Sequence, residues 1–221
     1  MTKWLRLSCA GVPSSIMVNV TGENPIRCFG DGDPLYENYH DSEWGVPVHD
    51  ESALLERIVL EGFQSGLSWL TVLRKREAFR EAFAGFDPVA VAAFEEDDIA
   101  RLLGNPGIIR HRGKIRAAIA NARALVRLHE DGDTLDRVIW SHAPAKHVRP
   151  RSYENLPAST PESAALSKAL KKLGFTFIGP VTAYSTMQAA GVVNDHLASC
   201  STNAVSSGAA AKTPTTATQA N

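Results

Sequence analysis

The sequence contains no apolar run long enough to cross a membrane, no internal repeat, and almost no net charge. A formal charge of −1 over 221 residues rules out binding to nucleic acid or a membrane surface through overall basicity. Any polyanion site must therefore be a local patch. Cysteine is scarce. Cys9, Cys28 and Cys200 are an odd number in a long chain, which argues against a disulfide framework and for a reducing, cytoplasmic setting. Strand signals are poor throughout, so an all-α fold is expected. No Cys-x-x-Cys pair occurs, which removes the signature of a zinc-dependent base deaminase. The N-terminal apolar stretch is broken by Arg6 and Pro13 and is not a clean signal peptide. Residues 1–25 are read as a disordered extension, with Met17 as a candidate start. Residues 203–221, rich in Ala, Ser and Thr, are read as a disordered tail. Residues 26–202 remain as one helical domain.

Residues 50–69, DESALLERIVLEGFQSGLSW, are the most informative stretch. Asp50 has the character of an N-cap. Leu54, Ile58 and Glu61 follow at helical spacing, which carries a carboxylate onto an inward face. Burying such a charge without a partner costs several kcal/mol, so a ligand must make the position useful. Gly62, Gly66 and Trp69 then suggest a break beside an aromatic wall. The competing reading ends the helix at Glu61 in solvent, with Gly62 closing it.

Further helices are expected from Asp87-Pro88 through Phe94, after the acidic residues 95–98, over 108–129, over 133–142, from Thr160-Pro161, and from Val181 to Gly191. Residues 143–158, with three prolines, are expected to be mostly loop. The set Cys28, His40, His196 and Cys200 would make a closed tetrahedral site suited to zinc, structural rather than catalytic, with His196 and Cys200 on one helical turn. The alternative is that the four are unrelated buried or surface residues. In RLLGNPGIIRHRGKIRAA (101–118) a Pro-Gly turn separates two helices. Arg110, Arg112, Lys114, Arg116, Arg123 and Arg127 then follow without an acid between them. Such a turn, with Gly107 and the helix N-terminus behind it, suits a DNA phosphate; a solvated helix face would look the same. Tyr36, Tyr39, Trp44 and Trp69 could stack on a flipped base or simply fill a core.

The stretches DPLYENYHDSEWGVPVHD (33–50), LEGFQSGLSWLTVLRKRE (60–77), GIIRHRGKIRAAIANARA (107–124), LSKALKKLGFTFIGP (166–180) and YSTMQAAGVVNDH (184–196) together resemble the 3-methyladenine DNA glycosylase I (Tag-type) family of helix-hairpin-helix DNA glycosylases. The resemblance implies a helix-hairpin-helix fold with a structural zinc on Cys28, His40, His196 and Cys200 tying the chain ends together. It implies that Glu61 recognises the damaged adenine, within a base pocket of Tyr36, Tyr39, Trp44 and Trp69. It places Leu67, at the Gly66-Leu67 turn, in the gap left by the flipped base. The expected substrate is double-stranded DNA carrying alkylated adenine, and the expected protein is a monomer without lyase activity. Three features depart from the family. Gly30 stands where a pocket Trp is usual, with Phe29 beside it as the candidate substitute; the Cys28–His40 interval is one residue short; and the family's C-terminal cysteine cluster is reduced to Cys200. The Gly30 departure leaves open a damage-binding protein without catalysis.

Overall fold

The computed structural model describes residues 26–30 and 32–202. The expectations for residues 1–25 and 203–221, including Cys9 and Met17, lie outside them. Ten α-helices follow in order: α1 (Pro34–Ser42), α2 (Glu51–Gln64), α3 (Trp69–Leu73), α4 (Arg76–Ala82), α5 (Pro88–Ala92), α6 (Glu96–Gly104), α7 (Arg112–Glu130), α8 (Leu135–Trp140), α9 (Pro161–Lys172) and α10 (Pro180–Ala189). No strand occurs among the described residues.

Most helices start where side-chain chemistry sets the start. The side chains of Asp33, Asp50, Ser68, Asp87, His111, Thr134 and Thr160 each accept from a backbone N–H of the first turn. Pro34, Pro88 and Pro161 follow three of these caps, where a missing N–H does no harm. Helix α1 had this Asp-Pro signal and was not expected; α3 and α4 are too short to show a period. Helix α7 begins at Arg112 rather than 108, because His111 in extended conformation caps it.

Helix α2 is the centre of the packing. Leu54, Leu55, Ile58, Leu60 and Phe63 are fully buried on it, against Ile115, Ala122 and Leu125 of α7 and Met187 of α10 in one continuous cluster. Each such side chain contributes about 1.5–3 kcal/mol. Phe63, Phe79, Phe83 and Phe86 extend the core as successive ring contacts of 4.7, 6.0 and 5.6 Å. The helix does not break at Gly62. Burial of Glu61 and Phe63 on either side carries it to Gln64, since packing outweighs a glycine's weak helix preference.

Lys114 ends α2. Its ammonium donates to the carbonyls of Phe63 at 2.9 Å and Ser65 at 2.7 Å, and the residue is only 9% exposed. Lys114, expected to contact DNA, has its ammonium engaged at a helix C-terminus in this structure. Lys114→Met is expected to lower stability by about 2 kcal/mol, because the buried Phe63 carbonyl and the more open Ser65 carbonyl lose their donor. Thermal melts should show a loss of several degrees. An unchanged melt, with a shallower salt dependence of DNA binding, would instead return Lys114 to a phosphate.

The segment before α2 is pinned to the end of α10. Gly45 and Val48 donate backbone N–H groups to the carbonyls of Gln188 and Ala190, both at 3.1 Å. Gly191, at φ +71°, lies so close that a Cβ there would meet the Val46 backbone at 2.4 Å. Only glycine permits this approach.

Candidate functional site: an aromatic cavity beside a Cys–His cluster

A cavity of about 130 Å³ is lined by Phe29, Tyr36, Tyr39, Trp44, Glu61, Gln64, Trp69, Ser185 and Gln188. The aromatics expected from the sequence thus meet around Glu61. Phe29 packs on Tyr36 at 4.7 Å and Trp44 at 5.1 Å, and Tyr39 on Trp69 at 5.3 Å. Gly30 takes no part in the wall. Its φ of +140° and the Glu37 Cγ 2.7 Å from where a Cβ would sit disfavour a side chain there, and Phe29 beside it lines the cavity. Gln64, Ser185 and Gln188 were not anticipated. Ser185 and Gln188 are one turn apart on α10, and a serine and a glutamine at that spacing carry no sequence signal of a pocket.

Glu61 is 7% exposed, and among the described residues its carboxylate accepts no hydrogen bond. Burial pushes its pKa up to about 8, against the pull of the nearby Arg57 guanidinium. Arg57 itself is committed to the carbonyls of Ala189 and Ala53, and burial lowers its pKa. Tyr39 is held well above the ordinary phenol value by burial and then by Glu61. The Trp69 indole N–H, also buried, has no partner among the described residues. The cavity thus holds an unmatched acid and an unmatched donor among aromatic faces. A larger open cleft of about 480 Å³ lies between α6 and α7, where Arg116 and Arg123 meet Glu96, Glu95 and main-chain carbonyls.

Behind the cavity, Cys28, His40, His196 and Cys200 bring one ligand atom each within 4.8 Å of one another. His40 Nε2 and His196 Nδ1 are 3.2 Å apart; Cys200 Sγ is 3.4 Å from the first and 3.7 Å from the second; Cys28 Sγ is 3.7 Å from His196 Nδ1. Ligands about 2.0–2.3 Å from a central zinc would be roughly 3.3–3.8 Å apart, so the set fits a tetrahedral ion. Hydrogen bonding agrees. His40 Nδ1 lies 2.8 Å from Asp41 Oδ1 and His196 Nε2 3.0 Å from the Trp44 carbonyl, so each ring donates outward and turns a lone pair inward. Two lone pairs at that distance need a cation between them, although His40 Nε2 also takes the Cys28 N–H at 3.1 Å. Burial pushes the Cys28 thiol up to about 12 and His196 down to about 4; the imidazoles are already neutral, and a metal would release thiol protons on binding. Residues 197–200 form a turn, closed by Cys200 N–H on the Leu197 carbonyl, rather than the expected helical turn.

The methyladenine glycosylase family model matches residues 29–203. The chain belongs to the methyladenine glycosylase family. It is 53% identical over 171 residues to DNA-3-methyladenine glycosylase 1 of Escherichia coli (strain K12), covering 76% of this chain and 91% of that one. It is 47% identical over 169 residues to DNA-3-methyladenine glycosylase of Haemophilus influenzae, covering 75% and 91%. Among solved structures, a crystal structure of 3-methyladenine DNA glycosylase I (TAG) superposes with a TM-score of 0.77 at 51% identity, covering 79% of this chain and 98% of that one.

In this methyladenine glycosylase the basic run after the Pro-Gly turn is not a free cationic stripe. Folding brings acids from α6 against it: Glu96 pairs with Arg116 at 2.7 Å and Arg112 at 3.5 Å, and Glu95 with Arg123 at 3.0 Å. Lys75 already bonds the carbonyls of Pro106 and Gly107 in the turn. Arg110 remains exposed. Leu67 stands out, 42% exposed, on the turn between Gln64 and Trp69, two residues of the cavity wall. Arg149 was missed altogether. Its guanidinium gathers the carbonyls of His196, Leu197 and Cys200 and so fixes the loop that presents two ligands. Arg149→Ala is expected to weaken metal retention by about 10–100-fold, measured by competition with a chromogenic chelator; unchanged retention would make the contact incidental.

Proposed function

We propose that the protein is a monofunctional DNA glycosylase that hydrolyses the N-glycosidic bond of 3-methyladenine in alkylated double-stranded DNA, with the nucleotide flipped into the Glu61 cavity. The observation that carries this reading is a buried carboxylate that accepts no hydrogen bond among the described residues, open to a cavity walled by aromatic rings. An N3-alkylated adenine answers both features. Its ring is cationic and attracts aromatic faces by cation–π interaction, and its exocyclic amine can donate to Glu61. The positive charge already weakens the glycosidic bond. Water adds at the sugar C1′, the C–N bond breaks, its electron pair neutralises the departing 3-methyladenine, and a proton is released to solvent. The enzyme's part is to extrude the nucleotide and hold the charge-bearing base. Leu67 would occupy the gap in the duplex, and the turn at Gly107 and Arg110 would meet the backbone.

Absence of lyase activity is supported by the cavity's lining, which includes no lysine. The Cys28, His40, His196 and Cys200 set would hold one zinc, which with four protein ligands keeps no position for water and supplies cross-linking rather than Lewis acidity. A monomer acting in the cytoplasm is the simplest form. No helix among the described residues is long and apolar enough to cross a membrane. Phe29 among the cavity-lining residues supports catalysis over the damage-binding alternative that Gly30 left open.

The test is release of free base from N-methylated duplex DNA over many turnovers. The expected product is 3-methyladenine, with strand breaks only after alkali or heat. Breaks in untreated DNA would overturn the monofunctional assignment, and no release by folded, metal-loaded protein would overturn the enzyme.

A further inference from the structure

Gln188 lines the cavity, yet one end of its side chain is committed elsewhere. Its Nε2 donates to Asp195 Oδ2 at 2.7 Å. Asp195 is 2% exposed and is surrounded by donors: the Tyr184 hydroxyl reaches the same oxygen at 2.7 Å, and His147 Nε2 lies 3.0 Å from the other. Against these oxygens the amide has one tolerable orientation, since a flip would set two lone-pair-bearing oxygens face to face at hydrogen-bond distance. The main chain is fixed as well, because the Gln188 carbonyl takes the N–H groups of Gly45 and Gly191. One amide N–H is thus committed to Asp195, and the carbonyl Oε1, which takes no donor among the described residues, is the acceptor that Gln188 has left to offer. With Glu61, the cavity gains a second acceptor.

We infer that Gln188 is a specificity-determining residue, and Asp195 the residue that positions it, so that Glu61 and Gln188 together read the two N–H groups of a 6-amino purine and reject a 6-oxo purine. This inference rests on the proposed glycosylase reading. An adenine-type amine can give one N–H to each acceptor. A guanine- or hypoxanthine-type oxygen at the same place would oppose lone pairs to both, leaving buried polar groups unmatched, the kind of penalty that sites use for strong discrimination.

The experiment compares the single-turnover release of 3-methyladenine and 3-methylguanine from methylated duplex DNA. Wild type, Gln188→Met and Asp195→Asn are used, with Tyr184→Phe as a control that removes an Asp195 contact without touching the amide. In Gln188→Met, 3-methyladenine release should fall at least tenfold and 3-methylguanine release less than threefold, so the ratio between them collapses. Asp195→Asn should move the ratio in the same direction, and Tyr184→Phe should leave it in place. A ratio within twofold of wild type in Gln188→Met overturns the inference while the glycosylase stands. No release of either base by wild type overturns both. Should the variants fail to fold, quenching of wild-type tryptophan fluorescence by 3-methyladenine and by 3-methylhypoxanthine, which carries an oxygen for the amine and one ring N–H more, decides: at least tenfold weaker binding of the oxo base is expected, and equal binding defeats the idea.

Discussion

Glu61→Gln is expected to lower release of 3-methyladenine by about two to three orders of magnitude while making the folded protein more stable at neutral and alkaline pH. The first effect follows from removing the one charge in the cavity that complements a cationic base. The second follows from proton linkage. The folded-state pKa of about 8 lies above the ordinary carboxylate value, so the folded protein binds the extra proton. Below the unfolded pKa both states are protonated and Glu61 costs nothing by ionisation. Stability is then lost as pH rises through the carboxylate range to about 8, by as much as about 5 kcal/mol. Melting temperatures of wild type and Glu61→Gln should therefore nearly coincide at pH 4 and diverge steadily up to pH 8. Activity runs the other way. The ionised form suits the substrate, so kcat/KM should rise with pH through a midpoint near 8 and level off above it, and Glu61→Gln should lack that limb. Release within threefold of wild type in Glu61→Gln would show that the cavity does not read the base through this carboxylate.

Removing the metal is expected to lower the melting temperature by about 10–20 °C. Cys28 and His196 are 168 residues apart, and a cross-link closing a loop of that size removes unfolded-chain entropy worth about 5 kcal/mol. At roughly 2–4 °C per kcal/mol for a chain of this size, the shift is large. Chelation followed by calorimetry, with zinc added back, measures it. The cavity should suffer too. The His40 ring meets Phe29 edge-on at 4.7 Å and the His196 ring meets Trp44 at 4.8 Å, so two cavity walls rest on ligands. Base affinity should fall at temperatures where helical circular dichroism is intact. A melting temperature unmoved by complete metal removal would leave the four residues as packing alone.

The inward placement of Glu61 was legible because Leu54 and Ile58 share its period, and cap residues announced α2, α5 and α9. Asp33-Pro34 carried the same signal for α1 and was passed over. What could not be read were contacts between distant segments. Lys114 belongs to a basic run in sequence and to the end of α2 in space, and the acids that neutralise Arg112, Arg116 and Arg123 precede the turn and join them only when α6 folds onto α7. Arg149 acts through main-chain carbonyls, which have no sequence signature at all. Gln188 shares that invisibility, since an amide's role depends on which neighbour claims its nitrogen. The proposed Phe29-for-Gly30 exchange draws on a backbone angle that the sequence does not display.

The pairing of Ile26 with Ser201, whose backbone and side-chain groups exchange hydrogen bonds in both directions at 3.0 and 2.8 Å, has a mechanical consequence. Tension applied at residues 26 and 202 would not stretch the helices in series. It would load this short clasp and the Cys–His cluster beside it, while the packing of α2 carried no force until they gave way. A chain pulled from these points would resist as one brittle clamp and then yield all at once, and the height of that single rupture would report whether the Cys–His cluster holds the proposed ion.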